Sequence, residues 1–428
     1  MDSGNTLRYR IGVIALLTFG TFINAVDRAS LSVAVPSIIK EFGIDKATMG
    51  IALSAFFWAY ALGNAPGGNL ADRFGTKKVL GWAAAIWSIF STLTGFAQSV
   101  FQIAMARLGV GLGEAPTLPT NTKIIAANFP SHERGTAVAV SLTGIRVGNA
   151  VTPLLMAFLI ATWGWRAAFI ITGLGSLLWC VFWYFGFRDL SDVKAKESGT
   201  KTKLKIPWKL ILTSRPLLGL TMVKFTQDFL QWLFFTWVPG YLILERGFSV
   251  LTMGFYVSIA YAVAAIAQPL VGWTSDFLIK KGWSINRARK TVQVTLQVLS
   301  ATIIITGYSD VVGIAMFFMV LAISAESICA GHMWTIISEV VPPKLVGSVG
   351  GLINTIGSAA GIIAPIMTGI IVDVTGSFKL ALLIGGCSIL LAAVIIIFVV
   401  PELKILESLN VEIARQEEAR AGAGARKS

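Results

Sequence analysis

FKLALLIGGCSILLAAVIIIFVV, residues 378–400, carries one charge, Lys379, at its start and then 21 residues with none. At about 1.5 Å per residue a helix of this stretch is about 30 Å long, which is the thickness of a bilayer's hydrocarbon core. Working outward with the same ruler, the chain offers spans near 11–37, 47–71, 79–98, 101–128, 136–161 and 166–187. After a polar stretch come 216–244, 250–278, 291–309, 311–340 and 347–373. The runs are too long for strands and do not alternate polar with apolar, which argues against a transmembrane β-barrel. The reading is an all-α integral membrane protein of twelve transmembrane helices.

Composition points the same way. Of 428 residues 55% are hydrophobic and 13% charged; a soluble domain carries about twice that charged share. Such a chain could not hide its apolar residues in one core, because globular chains of this size split into domains. The first span is expected to be retained, since it is long, lacks a small-residue cleavage pattern and contains Asp27 and Arg28. Cys180, Cys329 and Cys387 all fall inside spans without metal-ligand spacing and are expected to be small buried apolar residues.

The net charge of +13 is a matter of topology. With the N-terminus inside, the cytoplasmic segments hold 25 Lys and Arg, from Arg8 and Arg10 to Arg426 and Lys427. The opposite side holds five: Lys40, Lys46, Arg166, Arg246 and Lys379. The positive-inside rule therefore puts both termini in the cytoplasm, and nucleic acid is not an expected partner. The lysine-rich segment 188–215 divides the chain into a bundle over 1–187 and a second over 216–400. A tail over 401–428 follows, readable as a surface helix or as disordered.

The two halves repeat one another. Pro130, Gly135, Pro153, Gly164 and Gly173 recur as Pro342, Gly347, Pro365, Gly376 and Gly385, each 212 positions later, as does Glu114 as Glu326. Gly68 and Asp72 recur as Gly272 and Asp276, 204 positions later. Parallel repeats of six helices place a central cavity between two bundles that rock to expose it to each side in turn.

The loop after the second span reads Gly68-Asn69-Leu70-Ala71-Asp72-Arg73-Phe74-Gly75-Thr76-Lys77-Lys78. It resembles the G-x-L-A-D-R-x-G-x-K-K signature of the major facilitator superfamily. Gly68 permits close helix approach, and Asp72, Arg73 and Gly75 make a charged turn suited to a breakable latch on the cytoplasmic side. The plainer reading is a basic turn set by topology. The second copy keeps Gly272 and Asp276 but loses the following Arg and Gly.

Charges inside a membrane are costly and usually face a cavity or a partner. The spans hold Asp27 and Arg28, then Arg107, Glu114 and Lys123, then Arg146; the second half adds Lys224 and Asp228, then Glu326 and His332. Arg107 and Glu114 are two helical turns apart and share a face. Gly109, Gly111 and Gly113 allow close packing around them, and Pro116 and Pro119 interrupt the backbone ladder. Arg forks onto carboxylates and suits an anion site. Burial and a nearby guanidinium pull a carboxylate's protonation in opposite directions, so Asp27 and Glu114 are candidates for groups poised to exchange a proton. The alternative is a static ion pair that locks the two helices.

The stretch Val26-Asp27-Arg28-Ala29-Ser30-Leu31, with Arg107 through Glu114-Ala115-Pro116, is similar to the anion:cation symporter branch of the superfamily. So are Phe129-Pro130, Glu133-Arg134, Thr236-Trp237 with Pro239 and Tyr241, and Gly350-Gly351 with Asn354. By motif the chain resembles bacterial proton-coupled sugar-acid carriers for galactonate, glucarate and hexuronates. The resemblance implies that Asp27 and Glu114 are the protonatable pair and that Arg28 and Arg107 sense their charge, one of them also meeting the substrate carboxylate. It implies that Tyr60, Trp232, Trp334 and Asn354 line the cavity; for the three aromatic residues a membrane-facing position is the alternative.

The departures from the pattern bear on the substrate. Ile145 replaces a polar Gln, with Arg146 beside it; Lys224 stands where those carriers have Gln; Asp228, Glu326 and His332 replace neutral residues. Extra cavity cations would suit a smaller or more highly charged anion, a dicarboxylate or a sulfonate. Arg146 could instead pair with Glu326, and Lys224 with Asp228 one turn on. His332 is read as a hydrogen-bonding neutral residue or as part of a proton path.

The expected activity is proton-coupled symport of a small organic anion across the inner (cytoplasmic) membrane, with protons and lipid as the other partners. An antiporter of cations or hydrophobic drugs would want an acidic or aromatic cavity, whereas here the intramembrane cations outnumber the anions. A non-transporting sensor would be expected to lose the coupling pair. No nucleotide loop, metal cluster or nucleophile constellation appears, so no cofactor and no enzymatic activity are expected.

Overall fold

The computed structural model describes residues 3–130, 133–187, 206–343 and 345–425, and among these residues there is no strand. The first half of the chain forms α1 (Ser3–Phe42), α2 (Lys46–Phe74), α3 (Thr76–Thr94), α4 (Val100–Glu114), α5 (Thr117–Asn128) and α6 (Arg134–Gly186). The second forms α7 (Trp208–Thr213), α8 (Arg215–Leu244), α9 (Val250–Lys280), α10 (Ile285–Ser300), α11 (Ile303–Tyr308) and α12 (Val312–Val340). It continues with α13 (Val346–Ser358), α14 (Ala360–Thr375), α15 (Lys379–Phe398) and α16 (Glu407–Ala425). Among the described residues seven helical stretches are by themselves long and apolar enough to cross a membrane.

The elements differ from the sequence reading where glycine and proline act. The span expected at 101–128 is two helices, because Pro116 has no N–H to donate and its ring opposes a continuous ladder; α4 therefore ends at Glu114. The spans expected at 136–161 and 166–187 join at Gly164, whose φ of 81° breaks the helix. Its repeat partner Gly376 has φ 71°, so the left-handed position recurs with the sequence repeat. The spans at 291–309 and 347–373 are likewise each two helices, α10 with α11 and α13 with α14.

Two compact units emerge from the contacts. The first gathers the described residues of Met1–Gly199 with Trp232–Ala265 and Gly361–Ala381. In it α1 lies along α6, α2 along α4, and α3 against both α4 and α6. Glycine lets these backbones touch: a Cβ on Gly148 of α6 would lie 2.6 Å from Ala25 Cβ and 2.8 Å from the Phe22 carbonyl of α1. The glycine row of α4 behaves as expected, with Gly109 over the Phe90 ring, Gly111 against the Phe56 carbonyl and Gly113 against Trp87. Buried Trp87, Trp179, Trp183 and Phe187 stack in succession, and the Trp179 and Trp183 indoles donate to the Leu16 and Lys77 carbonyls at 3.2 and 3.0 Å. Burying a Trp this way satisfies its one polar atom.

The repeat is also visible in packing within this unit. A Cβ on Gly50 of α2 would meet the Pro365 carbonyl of α14 at 2.5 Å, and one on Gly254 of α9 would meet the Pro153 carbonyl of α6 at 2.7 Å. Gly50 and Gly254 are 204 positions apart, Pro153 and Pro365 212. Beside the first contact, Asp373 accepts from the backbone N–H of Lys46 and Ala47 at 3.1 and 2.6 Å, completing the N-terminus of α2.

The second unit gathers the described residues of Thr200–Gln231, Ile266–Ala360 and Leu382–Ser428. Here α10 and α11 pack on α12. The tail forms helix α16, tethered by Leu406 N–H to the Val340 carbonyl at 2.9 Å, with Leu409 buried. Cys329 is buried as expected and Cys180 partly so. Cys387 is exposed, a correction to its expected burial; on an apolar membrane helix such a surface is as comfortable against lipid as inside.

Candidate functional site

Four intramembrane charges of the first unit lie together where α1 meets α4. Arg28 of α1 donates from Nε and Nη2 to one oxygen of Glu114, Oε2, at 2.9 and 2.6 Å. Glu114 is the last residue of α4, placed at the break made by Pro116, and is 1% exposed. The Arg28 guanidinium sits over the Phe56 and Tyr60 rings of α2 at 5.1 and 5.0 Å from their centroids. These two rings stack on each other, and a cation over aromatic faces is attracted by their quadrupoles.

Asp27, the neighbour of Arg28, points into the helix packing and is fully buried. Its Oδ1 accepts from Ser91 Oγ of α3 at 2.7 Å and its Oδ2 from Ser176 Oγ of α6 at 2.6 Å. Arg107, 2% exposed, donates from Nη1 to the Asp27 backbone carbonyl at 3.2 Å and lies 5.6 Å from the Phe169 ring centroid. Its Nε and Nη2 have no hydrogen-bond partner. Arg28 and Arg107 both line a small cavity of about 20 Å³, bordered otherwise by Leu31, Ser32, Leu53, Phe56, Phe57, Phe235 and Thr236. Two guanidinium groups in an apolar cavity, one with unused donors, form an anion-accepting arrangement, since a buried cation without a partner is costly.

Tyr60 is buried beside Arg28. Trp232 belongs to this unit too, its ring centroid 4.4 Å from that of Phe57. Arg146 is half-buried on α6.

In the second unit Lys224 pairs with Asp228 one turn along α8, so the internal pairing weighed from sequence is the one formed; side chains are 6% and 2% exposed. A Cβ on Gly357 of α13 would press on Lys224 Cγ at 2.9 Å and on Asp228, so the pair occupies the space that glycine leaves. Gln293 of α10 links three helices: its Nε2 donates to Gln227 Oε1 at 3.1 Å and lies 3.0 Å from Cys329 Sγ, and its Oε1 lies 3.0 Å from His332 Nδ1. His332 therefore sits in a hydrogen-bonded network with Gln293, Gln227 and Cys329, and Glu326 is buried on the same helix, α12. Trp334 is 44% exposed and flanks Gly350, and Asn354 is half-buried.

Of the expected latch residues, Arg73 is exposed and lies over the Phe74 ring. Gly75 joins α2 to α3 with φ 85°, a conformation that favours glycine. The surroundings of Gly68 and the side chain of Asp72 lie outside what the structure describes. Asp276 accepts from Arg289 Nη1 of α10 at 2.8 Å, and Arg289 also reaches Glu339 at 3.2 Å. No group of three or more metal-ligating side chains occurs among the described residues.

Sequence reasoning missed Ser91, Ser176 and Gln293. Gln293 lies among other polar residues of α10 and so does not stand out, and serine is so often a small packing residue in membranes that only the carboxylate beside Ser91 and Ser176 marks their role.

Residues 17–365 match the family model of the Major Facilitator Superfamily, and the chain belongs to that family of multi-pass membrane proteins. A relative from Escherichia coli (strain K12), the "Probable galactarate/D-glucarate transporter GudP", is 34% identical over 93% of this chain and 95% of its own length. The "D-galactonate transporter" of Escherichia coli O6:H1 is 32% identical over 93% and 97%. Among solved structures, that of a "D-xylose-proton symporter" superposes with a TM-score of 0.74 at 18% identity, over 92% of this chain and 99% of that one; at this identity the likeness is one of fold.

Proposed function

We propose that this protein is a proton-coupled symporter that carries a small organic anion of the sugar-acid class into the cell, with both termini in the cytoplasm of a bacterial-type inner membrane. The observation that carries the reading is the arrangement of Arg107: a buried guanidinium with two unused nitrogens, facing a cavity it shares with Arg28. An incoming carboxylate takes the free donors of Arg107 in a fork. Protonation of Glu114 releases Arg28 from its ion pair, so the second guanidinium also turns to the anion. Proton loss on the cytoplasmic side restores the Arg28–Glu114 bond and expels the substrate. The two bundles, residues 1–187 and 216–400, rock about the cavity to alternate its access.

The relatives named for galactarate, D-glucarate and D-galactonate support a polyhydroxy carboxylate. The Lys224–Asp228 pair supports it too. With its charge neutralised on its own helix, Lys224 no longer argues for a smaller or more highly charged dicarboxylate or sulfonate.

The test is uptake of radiolabelled sugar acids, short dicarboxylates and short sulfonates into proteoliposomes under an inward proton gradient. Accumulation of a sugar acid, lost when the gradient collapses and in Glu114→Gln, is the expected result. Accumulation that survives the Glu114→Gln change, or a preloaded cation exchanging for protons instead, would sink the assignment.

A further inference from the structure

Asp27 is not part of the cavity lining. Its carboxylate makes its side-chain hydrogen bonds to α3 and α6 rather than to Arg28 or Arg107, and the two serines hold its two oxygens separately. Ser91 and Ser176 are themselves 0% and 2% exposed, so water does not compete for these bonds. The serines are not equivalent. Ser91 Oγ bonds only to Asp27 among the described contacts. Ser176 Oγ has a second acceptor, the Thr172 carbonyl one turn earlier, at 3.0 Å.

A hydroxyl has one hydrogen to give and two lone pairs to receive. Facing an ionised Asp27, both serines donate. When a proton from the aqueous phase binds Oδ2, that oxygen becomes a donor, and Ser176 must become its acceptor. Ser176 can do so without losing a bond, because its own hydrogen turns to the Thr172 carbonyl. The O–H bond formed is on Asp27, Ser176 keeps its proton throughout, and no other bond breaks. Ser91 continues to donate to Oδ1, but to a neutral acid, where the bond is weaker than to a carboxylate.

We propose that Ser91 and Ser176 are positioning residues of the proton site with divided roles: Ser91 is a fixed donor favouring the ionised carboxylate, and Ser176 a reversible partner that accommodates either protonation state. The inference rests on Asp27 being a coupling carboxylate. The other titratable groups around it are Glu114 and Arg107 on α4, Arg28 on α1 and Cys180 on α6; none replaces a serine hydroxyl at either oxygen.

The division is read from pH profiles of gradient-driven uptake by the reconstituted full chain. Ser91→Ala removes a bond that is stronger to the charged form, so its profile moves to higher pH by about one unit, about tenfold in proton concentration. Ser176→Ala removes one strong bond from the ionised state and two weaker ones from the acid, so its midpoint stays while its amplitude falls. Ser91→Thr and Ser176→Thr restore the wild-type profile. A second readout avoids dependence on turnover: the infrared C=O band of protonated Asp27, identified by its loss in Asp27→Asn, changes frequency in both alanine variants. Equal midpoints for wild type and Ser91→Ala, with an unmoved band, would overturn the proposal while leaving the symport reading intact. Wild-type uptake indifferent to the proton gradient would overturn the symport reading itself, and this inference with it.

Discussion

The two units hold buried charge in opposite ways. In the second, Lys224 and Asp228 neutralise each other across one turn of a single helix, and the space they fill is the one left by Gly357. In the first, charge is spread over two helices. Asp27 leans on serines, Glu114 on Arg28, and Arg107 is left with two unused nitrogens beside a cavity. A pair closed on its own helix is finished before any ligand arrives, and its energetics are local. A set shared between helices can be re-partnered, because a substrate or a proton can take the place of one member. The two arrangements differ in how readily they can be re-partnered more than in the number of charges they hold.

The largest expected effect lies in the first unit. Arg107→Ala should cut gradient-driven uptake about 100-fold or more, in line with losing one side of a buried charged contact. Arg107→Lys should not rescue it, because an ammonium cannot fork onto a carboxylate. Substantial uptake by the alanine variant would erase the contrast drawn here.

Next comes a cycle on the second unit. Lys224→Met alone leaves Asp228 buried without its partner and should lower stability by about 3–5 kcal/mol in detergent melts. Combining it with Asp228→Leu should recover most of that loss. A double variant as unstable as the single, or one that abolishes uptake while remaining folded, would move this pair from structure to mechanism.

Gly357→Ala should cost about 1–3 kcal/mol, as overpacking does, because its new methyl meets Lys224 and Asp228. In the Lys224→Met/Asp228→Leu background the cost should change, since the groups it strikes have been replaced. An identical cost in both backgrounds would mean that the strain falls elsewhere.

The smallest expected effect is that of Tyr60→Phe, which keeps the ring beneath Arg28 and removes only the hydroxyl. Apparent affinity for the anion should weaken by about threefold, the scale of one modest hydrogen bond. A loss as large as that of Arg107→Ala would make Tyr60 a direct ligand rather than a platform.

Much of this was legible in the chain itself. The apolar run at 378–400 and its counterparts read as membrane spans, because the bilayer imposes one length and one solvent preference on every crossing segment. The repeat was legible as well, and Gly164 and Gly376 show why: both occupy a left-handed backbone position that favours glycine. Pro116 announced an interruption, yet reading 101–128 as one span missed that the break sets Glu114 at a helix end. Asp27, Arg28, Arg107 and Glu114 were recognisable as a set by residue type and spacing.

The sequence by itself determined that the chain lives in a membrane, that it repeats, and which helices carry charge. These properties depend on composition and on periods along one strand of chain. Only the tertiary structure decided the partners. Whether Arg28 would meet Asp27 or Glu114, and whether Lys224 would face a cavity or its own neighbour, turns on side-chain direction and on how closely helices approach. The same holds for Ser91 and Ser176 converging on one carboxylate from helices 85 positions apart in the chain. Hydrogen bonds act over about 3 Å, and no periodicity along a single helix specifies a distance between two.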